Sequence, residues 1–308
     1  MPISKIIFIS LFLLFQSIYS YAEIKIKYKI GEKIITNLDI IYEKNYLIFL
    51  RPDLKELNNN EILRIAENSL IREIIKRKEI DNVFKNVNNL NFIEDIKKNL
   101  FAYKKVKDEK EFILLLKKNN IEYKRMIEKM KYEGLWNELV YRKFNSLVKI
   151  DKEKLKEDLK IKIAKNKKYE YNISELLFDV DNDDTFENKY KKIVENISKT
   201  NFKSTTAKYS ISNSANKGGD IGWVKETLLS DNLNKILKNM KKGEITNPIK
   251  YPNGYLILKI NDKKEMKQIV NINKELNERI KFERNKQLNQ FSLLFYKKLK
   301  QNTVINEY

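Results

Sequence analysis

The sequence predicts an α+β protein: a mostly helical N-terminal part completed by a C-terminal helix, with a smaller α+β unit inserted between them. Three observations carry this. Apolar residues recur at helical spacing through much of 36–148 and again over 265–300. From Tyr169 the pattern changes to strand, helix, loop, helix and strand. Only 7 Gly and 4 Pro in 308 residues leave little for linkers or low-complexity segments, while a hydrophobic share of 42% provides for a packed core.

The elements follow in order. Met1–Lys5 is a short basic start, Ile6–Phe15 is apolar but for Ser10, and Ser20-Tyr21-Ala22 sets small residues where a signal peptidase reads. The expectation is a signal peptide over 1–22, cleaved after Ala22, leaving 286 residues at +19 in the periplasm. The apolar run is shorter than the roughly 20 residues a membrane span needs, which disfavours a retained anchor. Ile24, Ile26, Tyr28 and Ile30 alternate with Lys, and Gly31-Glu32 turns the chain into Lys33–Ile35, a small hairpin. Thr36 or Asn37 caps a helix holding Leu38, Ile41, Tyr42 and Leu47, and Asn60 caps the next, with Ile62, Leu63, Ala66, Leu70, Ile74 and Ile75 on one face. Helices are expected over 89–104, 108–119 and 121–148, the last carrying Trp136, Val140, Phe144 and Leu147. A polar connector helix, Asp151–Lys165, closes an N-terminal domain of 23–166.

The α+β unit, 167–263, is expected to open with a strand over Tyr171–Asp179 and an acidic turn to Asp184. A helix over Phe186–Ser198, a Ser/Asn/Gly loop, a helix near Asp231–Lys241 and a last strand over Tyr255–Ile260 complete it. Within 264–308 a long helix places Ile272, Leu276, Ile280, Leu288, Phe291, Phe295 and Leu299 at helical spacing. That stripe needs a receiving surface, and the N-terminal domain is the expected one.

Composition excludes several chemistries. Zero Cys removes disulfides, thiolate nucleophiles and thiolate metal sites; zero His removes imidazole bases, Ser-His-Asp arrangements and HExxH zinc sites. No metal and no cofactor is expected. The net charge of +20 would fit an anionic partner, but Lys, Asn and Ile are over-used along the whole chain and the excess gathers in no patch, which favours a compositional bias. Gly218-Gly219-Asp220-Ile221-Gly222 lacks the strand, GK[ST] and helix start of a phosphate loop and reads as a structural turn. Asp179, Asp181, Asp183 and Asp184 lack the Gly and Glu of a calcium loop and read as a solvated acidic turn.

A family resemblance rests on an ordered set of motifs. These are Ala207-Lys208-Tyr209-Ser210, Lys217-Gly218-Gly219-Asp220-Ile221-Gly222-Trp223, Met240-Lys241-Lys242-Gly243-Glu244-Ile245, Asn247-Pro248-Ile249 and Asn253-Gly254-Tyr255-Leu256-Ile257-Leu258-Lys259-Ile260. Together they resemble a parvulin domain, the PpiC or rotamase class of peptidyl-prolyl isomerases. Ile30–Asn37 resembles the opening hairpin of SurA-type chaperones, and the order of signal peptide, helical N-domain, parvulin insert and returning C-terminal helix is theirs, with one parvulin module in place of two. The resemblance implies an ATP-independent periplasmic chaperone that holds unfolded outer-membrane or other exported polypeptides and hands them to the outer-membrane assembly machinery. Gly218, Gly219, Asp220, Gly222, Trp223 and Gly254 would be its structural motif.

The resemblance also marks the pocket. Active parvulins have a first-strand His, here Glu175 in Ser174-Glu175-Leu176-Leu177, and a last-strand His, here Leu256. The residue facing the imide falls at Ser212, and the apolar pair lining the proline pocket at Leu229 and Leu233. Prolyl isomerisation needs mainly a pocket fitted to the twisted imide, so an apolar hollow without its histidines leaves two readings open, a degenerate site and a working isomerase. A third reading, a basic membrane-surface or nucleic-acid binder, has the charge in its favour. Export argues against nucleic acid, leaving weak contact with anionic lipid as the form expected.

Overall fold

A computed structural model describes residues 23–84, 91–164, 169–180, 184–266 and 271–308. The expected signal peptide with its Ala22 cleavage site, and Asp181 and Asp183 of the acidic turn, lie outside the described residues.

The hairpin forms as its alternation predicts. β1 (Ile26–Ile30) pairs antiparallel with β2 (Lys33–Thr36) across Gly31-Glu32. A strand absent from the sequence reading, β7 (Ile305–Glu307), pairs with the other edge of β1 to give the sheet order β2-β1-β7. Thr36 caps α1 (Asn37–Leu50) in a reciprocal capping box with Asp39. Its buried face is Ile40, Glu43 and Leu47, whereas Leu38 and Ile41 are exposed, so the expected apolar face is corrected. Glu43 can be buried because Lys129 pairs with it at 2.6 Å and Ser69 donates to it at 2.7 Å. The cap of α2 (Asn59–Val83) is Asn58, two residues before the expected Asn60, because Asn58 and Glu61 complete a second capping box. A 3₁₀ turn, Pro52–Glu56, joins the two helices.

α3 (Asn91–Lys104), α4 (Glu109–Lys118) and α5 (Tyr123–Phe144) follow, and Phe49, Phe112, Leu116 and Met126 fill the space between them and α1. α5 ends earlier than expected in a 3₁₀ turn, which leaves Leu147 exposed. The connector is α6 (Lys152–Ala164).

The α+β unit is a four-stranded antiparallel sheet in the order β4-β3-β6-β5. β3 (Tyr169–Phe178) and β6 (Gly254–Glu265) are central; β4 (Asp220–Lys225) and β5 (Ile249–Tyr251) are edges that the sequence reading missed. β6 runs five residues past the expected Ile260, so the boundary expected at 263/264 falls inside a strand. α7 (Phe186–Lys199) and α8 (Phe202–Tyr209) pack on one face of the sheet; α8 lies where a loop was expected. α9 (Asp231–Lys238) packs on the other face through Leu237.

α10 (Ile272–Gln301) joins the parts. Its second half finds the predicted receiving surface: Phe295 stacks on Trp136 with centroids 5.4 Å apart, Phe291 stacks on Phe144 at 5.3 Å, and Trp136 Nε1 donates to Ser292 Oγ at 3.0 Å. Its first half binds through polar residues and Phe282. Glu275 is buried, accepting from Thr227 Oγ1 and, at 2.8 Å, from Lys225 Nζ, while Ile272 is exposed. Among the described residues no helix is long and apolar enough to cross a membrane.

Candidate functional site

Strand alternation sets the site. Tyr171, Ile173 and Leu177 of β3 face α9, and Glu175 lies on the same side by the period of two. Leu176 and Phe178 face α7 and α8. The segment after α8 then runs beside the end of β3: Ile211 N donates to Leu177 O at 2.7 Å, and Leu177 N donates to Ser210 Oγ at 3.1 Å. This brings Ser212 onto Glu175.

The polar group that results is self-contained. Ser212 Oγ donates to Glu175 Oε1, and Ser214 Oγ donates to the same oxygen at 2.8 Å. Ser212 also caps the 3₁₀ turn Asn213–Lys217, which ends in Gly218 at φ +68°. Gly219, at φ +78°, accepts from Glu175 N at 2.8 Å; a Cβ there would sit 2.1 Å from the Glu175 carbonyl oxygen, so only glycine fits. Gly218 and Gly219 thus form a turn that locks the loop to β3, and Asp220, Gly222 and Trp223 continue as β4. Gly254, at φ +139°, opens β6 where a Cβ would lie 2.1 Å from Phe178 O.

The apolar positions gather beside it. Leu229 and Leu256 are buried and Leu233 half-buried in one cluster with Leu258 and Ile260; Leu256 faces Leu177 across the ladder. Ser230 starts α9 by accepting from Leu233 N at 3.3 Å, which fixes the Leu229–Leu233 spacing. The five pocket positions, Glu175, Ser212, Leu229, Leu233 and Leu256, therefore lie on one side of the sheet. Two residues of α10, Phe282 and Leu293, pack on the same cluster, and Gln290 Nε2 lies 3.5 Å from the Tyr251 hydroxyl. Burial holds the Tyr251 phenol above its usual range, with Glu175 and Glu283 pushing the same way. The sequence reading missed Ser214, Tyr251 and these α10 residues. The serine spacing 210/212/214 was the one local signal available.

Chemically, an ionised Glu175 is an acceptor that already receives two hydroxyls, and Leu256 brings no polar atom. No imidazole stands ready to donate toward an imide nitrogen, and no group of His, Cys, Asp or Glu among the described residues could hold a metal. A second feature is larger. α2, the end of α10 and the loops at 207–216 and 252–255 enclose a cavity of about 1120 Å³ between the helical part and the sheet unit.

Residues 173–262 match the model for the rotamase PPIC-type PPIASE domain. The chain is 25% identical to Chaperone SurA of Pseudomonas putida over 162 residues, which are 50% of this chain and 38% of that protein. It is 36% identical to Foldase protein PrsA of Bacillus subtilis over 75 residues, 22% of this chain and 26% of the relative. It spans well under half the length of these curated relatives. A solved structure of a SurA-like chaperone from Campylobacter jejuni aligns over 92% of this chain and 98% of its own at 19% identity, with a TM-score of 0.36.

Proposed function

We propose that this chain, a PPIC-type domain set in a helical body similar to SurA and PrsA, is an ATP-independent periplasmic chaperone that holds unfolded exported polypeptides. Outer-membrane proteins are the client class and the assembly machinery of that membrane the receiving partner. The observation that carries the reading is the cavity of about 1120 Å³ between the helical part and the sheet unit. A wall made from three elements far apart in sequence holds a segment of chain without chemistry, and release follows from weak binding. The parvulin module supplies one side of that wall. Its prolyl face is engaged inside the molecule: Glu175 is taken up by Ser212 and Ser214, and Phe282 and Leu293 pack against the apolar cluster that holds Leu229 and Leu256.

Two assays on the purified chain, beginning at Glu23, test this. Dilution of a urea-unfolded outer-membrane protein into buffer without nucleotide is expected to give less light scattering as the chain approaches equimolar amounts. Prolyl exchange in a short Xaa-Pro peptide is expected to keep its slow spontaneous rate. Undiminished scattering sinks the holding role. A second reading, an active isomerase, is favoured by the apolar Leu229–Leu233 pair. Acceleration that disappears in Leu233→Glu would establish it.

A further inference from the structure

The same cavity has a charge that its own walls do not neutralise. Eight basic side chains line it against two acidic ones, Glu61 and Asp179. Both acids are engaged, Glu61 by Lys208 and Asp179 by Lys297 at 3.4 Å and Lys189 at 3.6 Å. Arg51 is taken by Asp53 at 2.7 Å. For Arg64, Arg72, Lys76 and Lys300, no carboxylate among the described residues stands within salt-bridge distance.

Arg72 and Lys76 are one turn apart on α2 and so share a face, two like charges side by side. Each has an aromatic face for company; Glu133 acts on Lys76 through space without pairing with it. The Arg72 guanidinium lies 5.7 Å from the Tyr296 ring centroid and the Lys76 ammonium 4.8 Å from that of Trp136. Burial pushes the Lys76 ammonium down to about 8, so its charge is held at a cost that an incoming carboxylate would relieve. The same lining also carries apolar side chains, among them Ile65, Leu293, Leu294 and Tyr255. A free inorganic anion would satisfy the cations and waste that surface; an aliphatic segment would do the reverse.

We infer that the cavity binds an extended peptide segment in which an Asp or Glu side chain sits between apolar residues, the carboxylate going to Lys76 and Arg72 and the apolar neighbours to Leu293, Leu294 and Tyr255. This rests on the chaperone reading and gives its clients a chemical signature: acidic residues set within hydrophobic stretches.

The test uses the full purified chain and two fluorescein-labelled, end-blocked octapeptides of Leu, Val and Tyr, one carrying two Glu and the other two Gln at the same positions. Fluorescence anisotropy at physiological salt is expected to show the Glu peptide binding at least tenfold more tightly. In the double variant Arg72→Met, Lys76→Met that preference disappears, while Lys110→Met, exposed and outside the cavity, retains it. Equal binding of the two peptides, or a preference that survives the double substitution, overturns the inference. Acylation of lysines at about pH 8 gives a readout without mutation: the Glu peptide protects Lys76 and the Gln peptide does not, and failure of that protection counts against the site. Scattering assays separate the two levels. Holding of unfolded protein without an acid preference sinks only this inference; an acid preference without holding sinks only the chaperone reading.

Discussion

At the scale of single residues, backbone and charge decide more than side-chain size. Gly219 and Gly222 have nearly equal dihedrals, φ +78° and +79°, but a Cβ at Gly219 would strike the Glu175 carbonyl at 2.1 Å whereas at Gly222 nothing lies within 4 Å. Gly222→Ala is expected to cost about 1 kcal/mol of left-handed strain, and Gly219→Ala about 3 kcal/mol or more, with the loop displaced from β3. Urea midpoints measure both, and equal losses would remove the close approach as the cause. Lys76 gives a pH dependence. Burial lowers its value to about 8, Glu133 opposing and Arg72 adding, against 10.5 in the unfolded chain. The folded state therefore carries the full penalty below about pH 8, and the penalty fades as pH rises toward 10.5, because the native lysine gives up its proton first. Lys76→Met should raise the thermal midpoint near pH 7, with a gain that narrows above pH 8; a gain constant across that range contradicts the assignment.

Between elements, a few buried polar contacts hold the parvulin module in place. Arg51, just after α1, donates to Ala215 O at 2.7 Å and Lys203 O at 2.8 Å, and Ser204 Oγ donates to Asp53 O at 3.0 Å. Arg51→Met leaves the buried Ala215 carbonyl and the part-buried Lys203 carbonyl without this donor and should cost about 1–3 kcal/mol of docking. The readout is amide exchange, faster in α8 and the 213–217 turn while the Phe112 cluster stays protected; uniform acceleration would mean global destabilisation instead. α10 works differently along its length. Aromatic stacking on Trp136 and Phe144 anchors its second half, while Phe282 and Leu293 pack on the apolar cluster of the sheet unit. With Phe282→Ala and Leu293→Ala the prolyl rate should remain at the spontaneous value, since Glu175 and Leu256 are unchanged; acceleration would overturn the proposed loss of isomerase chemistry at these positions.

Taken as a whole, the molecule is a cationic body around a cationic cavity, at a net charge of +20 over the full sequence. Attraction to the acidic peptides proposed as ligands would be partly long-range, and the Debye length shortens from roughly 30 Å at 0.01 M salt to roughly 8 Å at physiological strength. Affinity for the Glu peptide should therefore drop several-fold over that interval and then level off, because the apolar lining and the half-buried Arg72 and Lys76 are screened less than exposed charges. An isotherm lost entirely at physiological salt would mean that surface charge alone held the client.

The sequence by itself determined the α+β class, the hairpin, the helices with strong caps and apolar faces, the parvulin motifs and the absence of imidazole and thiolate chemistry. These are local properties: turn glycines, caps and periodicity act within a few residues. It misplaced the buried face of α1, where Glu43 lies inside because Lys129 and Ser69, far away in sequence, meet its charge. It missed β4, β5 and β7, short edge strands whose pairing partners supply the order that their own residues do not. Of the candidate site, the resemblance marked Glu175, Ser212, Leu229, Leu233 and Leu256, which the fold brings to one side of the sheet, while Ser214, the packing of Phe282 and Leu293 on the cluster, and the unpaired Arg72 and Lys76 lay outside the resemblance. Only the tertiary structure decided those, because burial, neutralisation and the filling of a pocket depend on which distant segments arrive.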